Sequence, residues 1–168
     1  MSMMTKSSVA VCDLFDPRTF LEGSNIRGHT YHWTTGYLTV DFILTHQEKV
    51  PYRGLEGVAH RILARDMSYQ EITDEFFGGM EGLRKYAFTF DQLAEKAKLH
   101  VAKKDDELRN GKTNVFFLLI GGKLFTVIVY WDRGTRRLDM HPIPIDEPSA
   151  SRLRAGYTKL FYNTIPTN

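Results

Sequence analysis

Apolar and polar positions change period several times along the chain, and each change predicts an element. Leu38, Val40, Phe42 and Leu44 alternate with Thr39, Asp41, Ile43 and Thr45, the period-2 pattern of a half-buried strand. Thr35 and Gly36 offer a hairpin turn that would pair this strand with another near 29–34. From 54 onward Leu55, Val58, Ala59, Ile62 and Leu63 recur at helical spacing, so an amphipathic helix ending near Arg65 is expected. Ser68 with Glu71, and Thr89 with Gln92, have the spacing of capping boxes, in which two side chains satisfy orphan amides at a helix start. Behind the first lie Ile72, Phe76 and Phe77, stopped by Gly78 and Gly79. Behind the second lie Phe90, Leu93, Ala94, Ala97, Val101 and Leu108, which predict the longest helix.

The strongest strand signals follow "RNGK". They are "VFFLLI", a Gly121-Gly122 turn, "LFTVIVYW", the turn "DRGT" and "RRLDMHPIP". Short glycine turns between strands give an antiparallel three-stranded meander. Strand 124–131 is apolar on both faces, as in a central strand covered on both sides or one at a partner interface. Strand 136–143 is one-sided and belongs nearer an edge. Asp146 before Pro148 reads as a helix start, with Ala150, Leu153, Tyr157, Leu160 and Phe161 as its apolar stripe; Gly156 keeps open a strand from Tyr157 to Ile165 instead. The expected fold is α+β, a single domain over 1–168. Its antiparallel sheet comes from an N-terminal hairpin and a C-terminal three-stranded meander, packed by about three central helices and a C-terminal helix. One sheet or two is left open.

Composition narrows this picture little. A chain of 168 residues, 42% hydrophobic and 25% charged, can bury a real core. A net charge of +2 is far from that of a protein wrapping nucleic acid over most of its surface, though a local basic patch is compatible with it. Cys12, the single cysteine, can form neither an internal disulfide nor a cysteine-based zinc site. No apolar run reaches the 18 or more residues of a membrane span, and "MSMMTKSSVAVCDLF" has no signal-peptide core. A cytoplasmic protein with no membrane partner is the expectation. Phosphate loops, dinucleotide fingerprints, H-E-x-x-H and nucleophile elbows are missing, which disfavours most cofactor enzymes, and no cofactor is expected.

Candidate chemistry concentrates in "RRLDMHPIP". On a strand Arg137, Asp139 and His141 share one face and Leu138 and Met140 the other. Arginine clamps phosphate or carboxylate, histidine moves a proton near neutral pH, and aspartate orients either. The plain alternative is the wet face of an edge strand, charged against aggregation. Arg133, Arg136, Arg137, Arg152 and Arg154 lie near Tyr130 and Trp131, a mixture that can hold single-stranded nucleic acid, diluted here by Asp132, Asp139, Asp146 and Glu147. In "HTYHWTT" His29 and His32 point to opposite faces of a strand, so no metal site is expected. Tyr31 and Trp33 suit a contact surface better.

Two segments carry faint family likenesses. "LARDMSYQEITDEFFGG" resembles the first two helices of the helix-turn-helix in response-regulator-type DNA-binding domains, which would imply a DNA-binding regulator. The following "GGMEGLRKY" departs from a recognition helix, with three glycines and only Arg84 and Lys85 as basic candidates. The order of helices, "LFTVIVYWDRGTRRLDMHPIPID" and a terminal helix resembles in layout the small ribonuclease toxins of toxin–antitoxin modules. That resemblance implies metal-independent RNA cleavage with His141 as general acid or base, Arg137 as transition-state clamp, and Tyr130 or Asp139 as auxiliary. Neither amounts to a family assignment.

The first functional expectation is a non-enzymatic module, a small regulator, adaptor or inhibitor whose partner is another protein, with Tyr31, Trp33, Trp131, Arg133 and Arg136 as binding residues. It calls for an exposed apolar patch larger than the roughly 300 to 600 Å² of ordinary monomers. A polar cleft around His141 instead favours the ribonuclease, with Arg137, Asp139 and His141 catalytic. A nucleic-acid-binding regulator is the third expectation. Oligomeric state is not legible.

Overall fold

The structure is a computed structural model that describes residues 31–34, 36–46, 54–101, 108, 110–134, 137–146 and 153–166. Its elements are β1 (Tyr31–Trp33), α1 (Val40–His46), β2 (Val58–Ile62), α2 (Tyr69–Phe77), α3 (Met80–Tyr86), α4 (Phe90–Val101), β3 (Thr113–Ile120), β4 (Lys123–Asp132), β5 (Arg137–Pro144) and β6 (Thr158–Asn163). The six strands form one sheet in the order β1-β5-β4-β3-β6-β2. The class is α+β. The sheet is mixed rather than antiparallel: β1 runs parallel to β5 and β6 parallel to β3, while the other three pairings are antiparallel.

The meander formed as expected, with Gly121 and Gly122 at positive φ in the turn. Both capping boxes are present. Ser68 and Glu71 exchange side-chain and backbone hydrogen bonds at the start of α2, which Gly78 ends in the left-handed conformation. Thr89 and Gln92 do the same for α4, at 3.1 and 3.3 Å.

Three expected elements are corrected. The strand over 38–45 is the helix α1, capped by Thr39, whose hydroxyl accepts from the Phe42 amide. Its alternating apolar residues serve a short helix because Leu38 and Ile43 enter the core while Phe42 stacks on His46 one turn away. No hairpin therefore pairs β1, which lies on β5 instead. The helix over 54–65 is a turn through Gly54 and Gly57, both left-handed, followed by the edge strand β2. At Gly57 a Cβ would also collide with Ile165. The first helix of the helix-turn-helix likeness is thereby absent, and Met67 bridges to Leu153. At the other end, the terminal helix gives way to a turn at Gly156 and the strand β6, so the toxin-like layout loses its last element; positions 147–152 fall outside the described residues.

Core packs on both faces of the sheet. One cluster joins Ile43 of α1 and Phe90, Leu93, Ala94 and Ala97 of α4 to Phe116, Leu118, Phe125, Val127, Leu138 and Met140. The opposite cluster joins Tyr69 and Ile72 of α2 and Leu83 of α3 to Val115, Phe117, Leu124 and Leu160. Helices thus cover Phe125, Val127 and Val129 on one face of β4 and Leu124 on the other, where Ile128 stays half-buried and Tyr130 exposed. A buried polar knot ties α4 to β6: the Gln92 and Asn163 amides donate to each other at 2.9 and 3.0 Å, and their remaining N–H groups reach the Gly54 and Ala87 carbonyls.

Candidate functional site

α2 and α3 cover the β3 and β6 side of their face, and the same face turns polar where β4, β5 and β1 run beyond them. The register lines up the side chains. Tyr130 lies opposite Asp139, Ile128 opposite His141, Asp132 opposite Arg137, and on the other flank His32 lies opposite Asp139. Period-2 alternation on each strand then brings Arg137, Asp139, His141, His32, Thr34 and Tyr130 onto one face. Leu138 and Met140 go to the core beneath, as the alternation predicts.

Within this cluster His141 is held at both nitrogens. Nδ1 lies 2.9 Å from the Thr34 hydroxyl and Nε2 lies 3.2 Å from the Tyr130 hydroxyl, with the two rings near parallel. Asp139 is the buried member, its side chain 7% exposed, and it accepts from Arg137 Nε at 2.9 Å. A guanidinium has five N–H donors, so that bond leaves both Nη groups for a ligand. Arg137 and His32 are 39% and 37% exposed, open to solvent beside a buried carboxylate. His32 Nδ1 stands 3.8 Å from Asp139 Oδ1, a charge contact rather than a hydrogen bond.

Burial lowers the His141 pKa from its usual value, against the pull of Asp139 and with a push from His32 and Arg137. The imidazole is therefore neutral at pH 7 and ready to accept a proton. Tyr130 is shifted up, by burial first and then by Asp139 and Asp132, against Arg137. Its hydroxyl stays protonated and able to donate.

The binding residues expected from sequence do not gather here. Trp33 is 3% exposed, donates its indole N–H to the Leu38 carbonyl and meets Phe90 edge-on in the core. Trp131 is half-buried against the same core, while Arg133 is exposed in the turn after β4. Arg136, Arg152 and the side chain of Tyr31 lie outside the described residues, as do Cys12 and His29. Exposed large apolar side chains sit on separate elements, among them Leu44 on α1, Ile62 on β2, Met80 on α3 and Tyr157 before β6. Among the described residues no group of three or more His, Cys, Asp and Glu could hold a metal ion, and no helix is long and apolar enough to cross a membrane.

His32 and Thr34 are the members that sequence reasoning passed over. Their shared strand face was readable, but only the non-local parallel pairing of β1 with β5 brings them to His141. The fold defines the class, an α+β protein with helices on both faces of a mixed sheet. No protein-family model, curated protein or solved structure matches the chain.

Proposed function

We propose that the polar face of β1, β5 and β4 is a metal-independent acid–base site that cleaves RNA. The observation that carries this reading is His141 held between two hydroxyls beside a half-exposed arginine, itself fixed by a buried aspartate. In the tautomer where Nδ1–H donates to Thr34, the Nε2 lone pair accepts from the Tyr130 hydroxyl at 3.2 Å and becomes the general base when that hydroxyl turns to the substrate. Arg137, oriented by Asp139 through Nε, offers its Nη groups to the non-bridging phosphate oxygens, where charge develops during transfer. Tyr130 donates a further hydrogen bond. On the side of β4 that carries the site, Leu124 joins the core under α2 and α3, Ile128 is half-buried and Tyr130 exposed, so the open part of the face that had suggested a protein partner is the part that holds His141.

Incubation with end-labelled RNA in excess chelator tests this, with Arg137→Ala and His141→Ala alongside. Each variant is expected to retain its fold and lose about 10²- to 10⁴-fold in rate. Cleavage by either variant at the parental rate contradicts the role given to that residue. A parent protein that leaves RNA intact contradicts the site and returns a protein-binding role to first place.

A further inference from the structure

We propose that His32 is the proton donor of this face, protonating the departing 5′-oxygen while His141 takes the proton of the 2′-hydroxyl, so that the site cleaves RNA by internal transesterification and spares DNA. The inference rests on the role proposed for His141 and adds an opposed group to it. His32 lies directly across from Asp139, and His141 follows Asp139 by two residues on the same face. With strands about 4.8 Å apart and a two-residue rise of about 6.6 Å, the two histidines are diagonal neighbours about 8 Å apart at Cα. Imidazoles so placed can flank one phosphorus atom, one beside the attacking oxygen and one beside the leaving oxygen, as in-line displacement requires.

The surroundings divide the labour. His141 is held through Nδ1 by Thr34, and its Nε2, 3.2 Å from the Tyr130 hydroxyl, exchanges that contact for the 2′-hydroxyl of the substrate. His32 stands 3.8 Å from the buried Asp139 carboxylate and is 37% exposed, open to the substrate side. Its Nδ1 faces that carboxylate, which leaves Nε2–H for the substrate. The 2′-oxygen–phosphorus bond forms as the phosphorus–5′-oxygen bond breaks. The 2′-hydroxyl proton passes to His141 Nε2, and the His32 proton passes to the 5′-oxygen. Products are a 2′,3′-cyclic phosphate and a 5′-hydroxyl, and proton exchange with water restores both histidines. No oxidant, metal or co-reactant enters the balance.

Full-length His32→Ala and His32→Gln decide the matter on two substrates. One is an ordinary RNA dinucleotide. The other is a nucleoside 3′-phosphate ester of p-nitrophenol, whose leaving group departs without protonation. Both variants are expected to slow dinucleotide cleavage about 10²- to 10⁴-fold yet to cut the nitrophenyl ester within about threefold of the parent, while His141→Ala loses both substrates. His32 variants that cleave the dinucleotide at the parental rate overturn the assignment, as do variants with parental melting temperature that lose both substrates equally. A parent protein inactive on both substrates overturns the reading of the whole face. A parent active on both, with His32 variants unaffected, overturns only the part given to His32.

Discussion

Two polar networks sit on this sheet, and they are built to opposite specifications. The knot of Gln92 and Asn163 is fully buried and neutral, and all four side-chain N–H donors of its two amides are spent on protein acceptors. Its counterpart around His141 is half open, carries charge, and leaves the Arg137 and His32 side chains 39% and 37% exposed. Saturation marks a polar group that holds elements together, because a buried amide left unpaired costs about 1–3 kcal/mol. Spare donors beside a buried carboxylate mark a group with something left to bind. Polarity on a sheet face is informative only together with its unused valence.

Breaking the saturated knot is expected to have the largest effect on stability. Asn163→Leu strands the Gln92 amide and the Ala87 carbonyl, and thermal or urea unfolding is expected to show a loss of about 3 kcal/mol. A loss below about 1 kcal/mol would mean that the knot is dispensable, and the contrast with the open network would fall. Thr34→Val tests the open network more gently. It removes the hydroxyl that holds His141 Nδ1, a hydrogen bond worth about 1 kcal/mol, so RNA cleavage is expected to slow about fivefold with little change in melting temperature. An unchanged rate would free His141 from any dependence on Thr34.

Acidification is the smallest probe. Because the folded His141 pKa lies below its ordinary value of 6.5, the unfolded chain binds more protons between the two values. Stability conferred by the neutral ring is complete above pH 6.5 and is lost as pH falls through the folded value. Unfolding followed from pH 7 to 5 is expected to lose less stability in His141→Gln than in the parent. Identical slopes would show that His141 titrates as it does in the unfolded chain. Cleavage is expected to keep the base form of His141, and hence activity, to a pH below 6.5.

Sequence legibility followed the range of the interactions. Local signals were dependable: Ser68 with Glu71, Thr89 with Gln92, and the Gly121-Gly122 turn each act within four residues and appear as expected. Period was less so in short elements. Seven residues of α1 fit both a strand and a helix, and the deciding signal was Thr39, an N-cap at the second position of the expected strand. For β2 the helical stripe was accidental, since an edge strand with His60, Arg61 and Ile62 exposed obeys no burial period; the left-handed Gly54 and Gly57 carried the information. The site was half visible. Arg137, Asp139 and His141 share a face by the pleat alone, which any β-strand imposes. His32 and Thr34 join them only through the pairing of β1 with β5, more than a hundred residues away along the chain, and no local pattern encodes that contact.

Catalysis by the open network separates a working site from a solvated sheet face. Its most direct test is the single-turnover rate of RNA cleavage in excess chelator by the parent and by His141→Ala, each with its melting temperature. The expected result is cleavage by the parent, a loss of about 10²-fold or more in the variant, and melting temperatures alike to within the few degrees that about 1 kcal/mol represents. Equal rates in the two proteins, or no cleavage by either, would contradict it and leave the face around His141 a solvated edge of the sheet.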